Sequence, residues 1–160
     1  MTVKIRRATT KDVDEMAEMA YEFELYLIKL DDTLMEVPPP KALFRKVLRQ
    51  GLNDEKHYIV VAEEKGKLVG MADFWAYPEF LHGGMSGYMN NLYVREGFRG
   101  KGLGRTLLEH LMDAAKRRGV VAMHIPVKPM NLRALAFYRK AGMDEELLMM
   151  ERRLDRVVKR

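Results

Sequence analysis

The sequence predicts an α/β protein in which strands alternate with helices, and two observations carry most of that expectation. Short runs of branched and aromatic residues alternate with longer stretches whose apolar residues recur at helical spacing. One alternation is particularly clear: residues 88–94 (YMNNLYV) read as a strand, Arg99-Gly100-Lys101-Gly102-Leu103-Gly104 as a turn, and Leu103, Leu107, Leu108, Leu111, Met112 and Ala115 as one helix face. Gly119, following Lys116, Arg117 and Arg118, marks where that helix stops.

The other elements follow in chain order. Residues 3–8 form a short strand. Thr9 and Asp12 resemble a capping box, and the helix after them places Val13, Met16, Ala20, Phe23 and Leu27 on one face. Glu15, Glu18 and Glu22 fall on another face, either as solvated charges or as an acidic wall for a cationic acceptor. Residues 30–40 connect, stiffened by Pro38-Pro39-Pro40, and a second helix spans 41–50 with Gly51 at its end. Strands at 57–62 and 68–76 flank a polar hairpin signal, and 77–87 reads as a looser connection holding Glu79 and His82, both expected in solvent. Residues 120–127 make a strand that loses pairing near Pro126, which has no N–H to give. Asn131 caps a helix with Leu132, Leu135, Ala136 and Ala141, closed by Gly142, and a last strand is expected at 147–154. Without a linker, repeat or low-complexity segment, residues 1–160 read as one domain.

Composition narrows the function. With 48% hydrophobic and 32% charged residues, no run of membrane-spanning length and no signal-peptide pattern, the expectation is a cytoplasmic globular chain that does not enter a membrane. There is no cysteine, so disulfides and thiolate metal sites are excluded. His57, His82, His110 and His124 are scattered without H-x-x-x-H spacing, and no metal is expected. Charge is lopsided: residues 10–37 hold nine acidic and two basic groups, whereas 95–160 hold sixteen basic and eight acidic. The basic residues are spread over helix faces, helix ends and the tail with no nucleic-acid reading motif, so a polyanionic cofactor accounts for them better than nucleic acid does.

The glycine-rich turn is built for such an anion. Backbone N–H groups at a helix start lack intrahelical partners and the helix dipole favours negative charge there. Glycine admits a phosphate close to the backbone, and Arg99, Lys101 and Arg105 add positive charge. Neither G-x-G-x-x-G nor G-x-x-x-x-G-K-[ST] is met, which excludes the Rossmann and P-loop readings.

R-G-K-G-L-G resembles the R/Q-x-x-G-x-G/A pyrophosphate loop of the GCN5-related N-acetyltransferase (GNAT) family. Asn131, Ala134, Phe137, Tyr138 and Gly142 match that family's second motif at its usual distance, and VKIRRATTKDVDEM resembles its first strand and helix. The resemblance spans nearly the whole chain. It implies a mostly antiparallel central sheet with one parallel, splayed strand pair and about four flanking helices. It also implies acetyl-coenzyme A as cosubstrate, transfer of the acetyl group to a primary amine by direct attack, and a homodimer through C-terminal strands. Leu92, Tyr93 and Val94 would pair with the pantetheine arm. The amides of Gly100, Lys101, Gly102, Leu103, Gly104 and Arg105, with Arg99, would hold the pyrophosphate, and Asn131 would bond the arm from the far side of the splay. Tyr138 would be the general acid near the sulfur; on reference pKa values of about 10 for a phenol and about 8.5 for a thiol that transfer is slightly uphill.

The sequence departs from the family at the general base. Asn90 and Asn91 stand where members often carry a carboxylate. Pro126 stands five residues before Asn131, where relatives that modify protein N-termini often carry glutamate. Glu79, His82, His124 and Glu22 remain as proton acceptors. The missing carboxylates also leave open a coenzyme A binding module without catalysis. An amine that arrives neutral would need no strong base, which favours an α-amine over a lysine side chain.

Overall fold

The structure, a computed structural model, describes residues 3–30, 37–152 and 154. They fall into two compact units, residues 1–125 and 126–160. The first unit holds a five-stranded sheet in sequence order: β1 (Lys4–Arg7), β2 (His57–Glu64), β3 (Lys67–Glu79), β4 (Gly84–Val94) and β5 (Val120–His124). The first four strands are antiparallel neighbours, and β4 with β5 is the parallel pair. Helices α1 (Val13–Leu30), α2 (Lys41–Leu52) and α3 (Leu103–Arg117) belong to this unit, and α4 (Leu132–Lys140) to the second. The mixed sheet, its parallel pair and the four α-helices among the described residues are as the family resemblance implied.

Strand alternation sorts the core into two faces. Ile59, Val61, Met71 and Tyr93 join Val13, Met16, Met19 and Ala20 of α1 in one buried cluster, with Phe44, Leu48 and Leu52 of α2 packed against it. Each fully buried side chain of this size contributes about 1.5–3 kcal/mol. Val60, Ala62, Ala72 and Phe74 are buried on the opposite face. Leu107 of α3 lies there, its Cδ1 3.0 Å from where a Cβ on Gly70 would stand.

Asp12 fastens the first strand to the first helix. Its carboxylate accepts two bonds from the Arg6 guanidinium (both 2.8 Å), one from the Thr9 amide (2.7 Å) and one from the Thr9 hydroxyl (2.9 Å). The Arg6 bonds, more than any other cause, lower its pKa from 3.8 to about 2. A depressed carboxyl stabilises the fold above its unfolded pKa, and the contribution is lost as pH falls through the folded value. We expect Asp12→Asn to lower urea stability at neutral pH by on the order of 2 kcal/mol and to flatten the loss between about pH 4 and pH 2. Equal acid slopes for the two proteins would contradict this linkage.

Four sequence expectations need correction. Helix α2 continues through Gly51 to Leu52, because this glycine admits a neighbour and does not end the helix: a Cβ there would come within 2.3 Å of His57 Nδ1. The supposed loose connection at 77–87 is a hairpin whose strands extend to Glu79 and from Gly84. Pro78 is tolerated within β3 because the β2 ladder ends at Trp75, so no donor is needed on that side. Strand β5 stops at His124, two residues before Pro126, and not at residue 127. No strand forms among the described residues of 147–154. Leu147, Leu148 and Met150 have strand-like character but are 61%, 89% and 84% exposed, and β propensity makes no strand without a ladder partner.

Candidate active site

The parallel pairing of β4 with β5 ends at Tyr88 opposite His124, yet β4 runs on to Val94. From Met89 to Val94 the strand pairs only with β3, so Leu92, Tyr93 and Val94 keep the edge that faces away from β3. An unpaired strand edge is a template for another extended chain. This is the splay that the family resemblance implied, located by register.

The open edge leads into the turn. Gly100 and Gly102 have φ of 76° and 82°, the left-handed region that glycine occupies without penalty, and Gly102 is the N-cap of α3. A Cβ on either would meet nothing within 4 Å, so the backbone conformation, not crowding, calls for glycine there. The first main-chain helical bond of α3 runs from the Thr106 amide to the Gly102 carbonyl, so the preceding amides have no intrahelical acceptor. Unpaired amides at a helix start favour an anion. The three cations differ in what they do. Arg99 donates through Nε to the Val94 carbonyl (2.7 Å) and lies over the rings of Tyr26 and Tyr93, tying the turn to the end of β4. Lys101 Nζ donates to the Gly97 carbonyl, and Arg105 pairs with Glu109 one turn along α3.

Asn131 and Tyr138 belong to the second unit. The Asn131 side-chain oxygen accepts from the Ala134 amide at 3.2 Å, which caps α4 as its position suggested. Tyr138 is buried, edge-on to Phe137, and burial pushes its phenol well above the ordinary tyrosine pKa. The hydroxyl therefore stays protonated throughout the working pH range. That suits a hydrogen-bond donor and makes full proton transfer to a thiolate more uphill than the reference values suggested.

Sequence reasoning missed Asp73. The β4 ladder skips Asn90: Asp73 pairs with Asn91 and Phe74 with Met89, which makes Asn90 the extra residue of a β-bulge. Asp73, 4% exposed, accepts from Asn90 Nδ2 (2.8 Å) and Asn91 Nδ2 (2.7 Å) and bonds His57 Nε2 (2.5 Å). Its carboxylate is thus one strand away from where the family carries one. A carboxylate only accepts, so each asparagine must turn its NH₂ inward and its carbonyl oxygen away from Asp73. The signal was faint: a lone acidic residue in an apolar run (VGMADFWA). Asp73→Ala is expected to cost about 3 kcal/mol in denaturant unfolding, since it removes a buried carboxylate and strands the half-buried donors of His57 and Asn91, while the exposed Asn90 turns to solvent; a loss under about 1 kcal/mol would contradict the network.

The other acidic candidates separate. Glu15 accepts from the Leu68 amide, Glu18 pairs with Lys41, and Glu22 accepts from Tyr93 and Arg95. Each carboxylate of the supposed acidic wall therefore has a partner inside the chain, as structural charges do. Glu79, His82 and His124 converge: their ligand-type atoms all lie within 4.8 Å of one another. The sequence placed Glu79 and His82 in solvent; His82 is exposed and Glu79 half-buried, and the β3–β4 hairpin brings both beside His124 of β5.

Comparison with known proteins identifies the family. Residues 16–143 match the acetyltransferase (GNAT) family, and the chain belongs to that family. It is 44% identical over 55 residues to the ribosomal protein bS18-alanine N-acetyltransferase of Salmonella typhimurium; the match covers 34% of this chain and 37% of that relative's length. Glucosamine 6-phosphate N-acetyltransferase of Arabidopsis thaliana is 31% identical over 104 residues, 63% of this chain and 68% of the relative. A crystal structure of the Arabidopsis thaliana glucosamine-6-phosphate N-acetyltransferase superposes with a TM-score of 0.72 at 25% identity, covering 97% of this chain and 100% of that one. A predicted acetyltransferase of Clostridium acetobutylicum, solved with acetyl-CoA, shares the fold with a TM-score of 0.77 at 19% identity, covering 96% and 97% of the two chains. No helix among the described residues is long and apolar enough to cross a membrane.

Proposed function

We propose that this chain is an acetyl-CoA-dependent N-acetyltransferase whose acceptor is a primary amine of low pKa, an α-amine at a peptide N-terminus above all. The observation that carries the reading is the open edge of β4 leading, through one 3₁₀ turn at Glu96–Phe98, into a turn with two left-handed glycines at the start of α3. An extended pantetheine arm would add to that edge like a strand, and the pyrophosphate would rest on the amides from Gly100 to Arg105. The amine nitrogen attacks the thioester carbonyl, the C–N bond forms, the C–S bond breaks, and the thiolate leaves. A backbone N–H on the open edge near Tyr93 or Val94 steadies the developing oxyanion. By its motif position Tyr138 donates a hydrogen bond to the departing sulfur, and Asn131 bonds the arm. The amine's surplus proton passes to solvent.

The acceptor preference rests on what the positions usual for the family's base contain. Asn90, Asn91 and Pro126 cannot take a proton there, and the Asp73 carboxylate is occupied by three partners. At neutral pH about a tenth of an α-amine of reference pKa is neutral, against less than a thousandth of a lysine side chain. The Salmonella relative, named for N-acetylation of an alanine on a ribosomal protein, supports an α-amine. The test pits a peptide with a free α-amine and no lysine against its N-blocked, lysine-containing counterpart, with products read by mass spectrometry. The α-amine is expected to react about 100-fold faster. Faster lysine acetylation, lost in Glu79→Gln, would overturn the preference.

A further inference from the structure

We propose that Glu79, His82 and His124 form a binding site for one divalent transition-metal ion, zinc above all. The three residues come from the end of β3, the hairpin turn and the end of β5, and only the fold brings them together. Their ligand atoms lie within 4.8 Å of one another, and the two imidazole rings tilt against each other at 5.5 Å. Glu79 Oε2 stands 2.6 Å from His82 Nδ1, a hydrogen bond whose proton an ion would replace, each ligand atom then moving to about 2 Å from the metal. Two imidazoles and one carboxylate suit zinc and its first-row neighbours, not magnesium, which prefers all-oxygen, largely hydrated sites.

Outer partners already hold two of the ligands. The Ser86 hydroxyl donates to Glu79 Oε2 and orients that carboxylate from outside the cluster. The Tyr77 hydroxyl lies 3.2 Å from His124 Nδ1 and orients the ring. The Glu79 and His82 side chains are 22% and 31% exposed, so an ion can reach them from solvent. Three protein ligands leave a coordination position open to water or to a donor atom of a bound molecule. By register, His124 opposite Tyr88 is the last β4–β5 pair, so the site adjoins the start of the splay. It does not rest on the acetyl-transfer reading, and neither stands or falls with the other.

The test is a calorimetric titration of the full chain, stripped of metal and free of coenzyme A, with zinc chloride. One zinc ion per chain is expected to bind with saturation below about 0.1 mM, raising Tm by mass action. His124→Ala and Glu79→Gln are each expected to weaken binding about tenfold or more. His110→Ala, on α3, should leave affinity unchanged, and excess magnesium should not displace the zinc. His82 lies in the exposed hairpin turn, so His82→Ala provides a ligand deletion that spares the folded core. Absence of saturable binding, or affinity unchanged in all three ligand variants, would overturn the site.

Discussion

Replacing Gly102 with valine is expected to raise the Kd for acetyl-CoA about thirtyfold or more while leaving the fold intact. Gly102 holds φ at 82° at the N-cap of α3. A residue with a Cβ pays about 1–2 kcal/mol in that region, and a β-branched one pays more. The cheaper outcome for the chain is to rotate the turn, which swings the amides of α3 away from a common focus. Hydrogen bonds from those amides to a charged phosphate are worth about 1.5–3 kcal/mol each, so losing one suffices for a thirtyfold effect. Because a Cβ at Gly102 would meet nothing within 4 Å, no core packing is disturbed. Gly97→Ala is the control: that glycine has no positive φ and equal space around it, so binding should not change. Titration of coenzyme A into each variant, with circular dichroism to confirm the fold, reads the difference. Equal affinity in Gly102→Val would remove the turn from the cofactor site.

Tyr138→Phe is expected to lower kcat about a hundredfold with little change in KM for acetyl-CoA. A donor to the leaving sulfur acts as the C–S bond breaks, so its loss falls on the transition state and not on cofactor binding. The phenylalanine ring fills nearly the same buried volume, so stability should hold. Since burial pushes the phenol well above its ordinary value, the pH–rate profile of the unaltered enzyme should show no falling limb from Tyr138 below about pH 10. A variant that loses stability and activity together would mark Tyr138 as packing only.

What the sequence made legible were features that follow from local chemistry. The helix over 103–117, its glycine stop, the Asn131 cap and the glycine-rich turn before that helix are set by residues near one another in the chain, and all are present. What it hid depends on residues that meet only after folding. Gly51 looked like a helix end because the approach of His57 is a tertiary contact. Residues 77–87 looked like a loose connection because nothing local says that β2 has already ended beside Pro78. Asp73 read as a lone charge among apolar residues, since its partners His57, Asn90 and Asn91 lie on the two neighbouring strands. The convergence of Glu79, His82 and His124 was invisible for the same reason. The acidic face of α1 read either as solvated charges or as an acceptor wall, because the groups that take up its carboxylates, on Leu68, Lys41, Tyr93 and Arg95, are distant in sequence.

The central claim is acetyl transfer from acetyl-CoA to an amine, and thiol release tests it most directly. With no cysteine in the chain, a disulfide-exchange dye sees only the coenzyme A set free. The panel offers peptides with free N-termini, lysine peptides, polyamines and amino sugars. The account predicts release that requires an acceptor, is greatest with a free peptide α-amine, and falls about a hundredfold in Tyr138→Phe. Tight binding of acetyl-CoA with no acceptor-dependent release across that panel would contradict it and leave a coenzyme A binding module in its place.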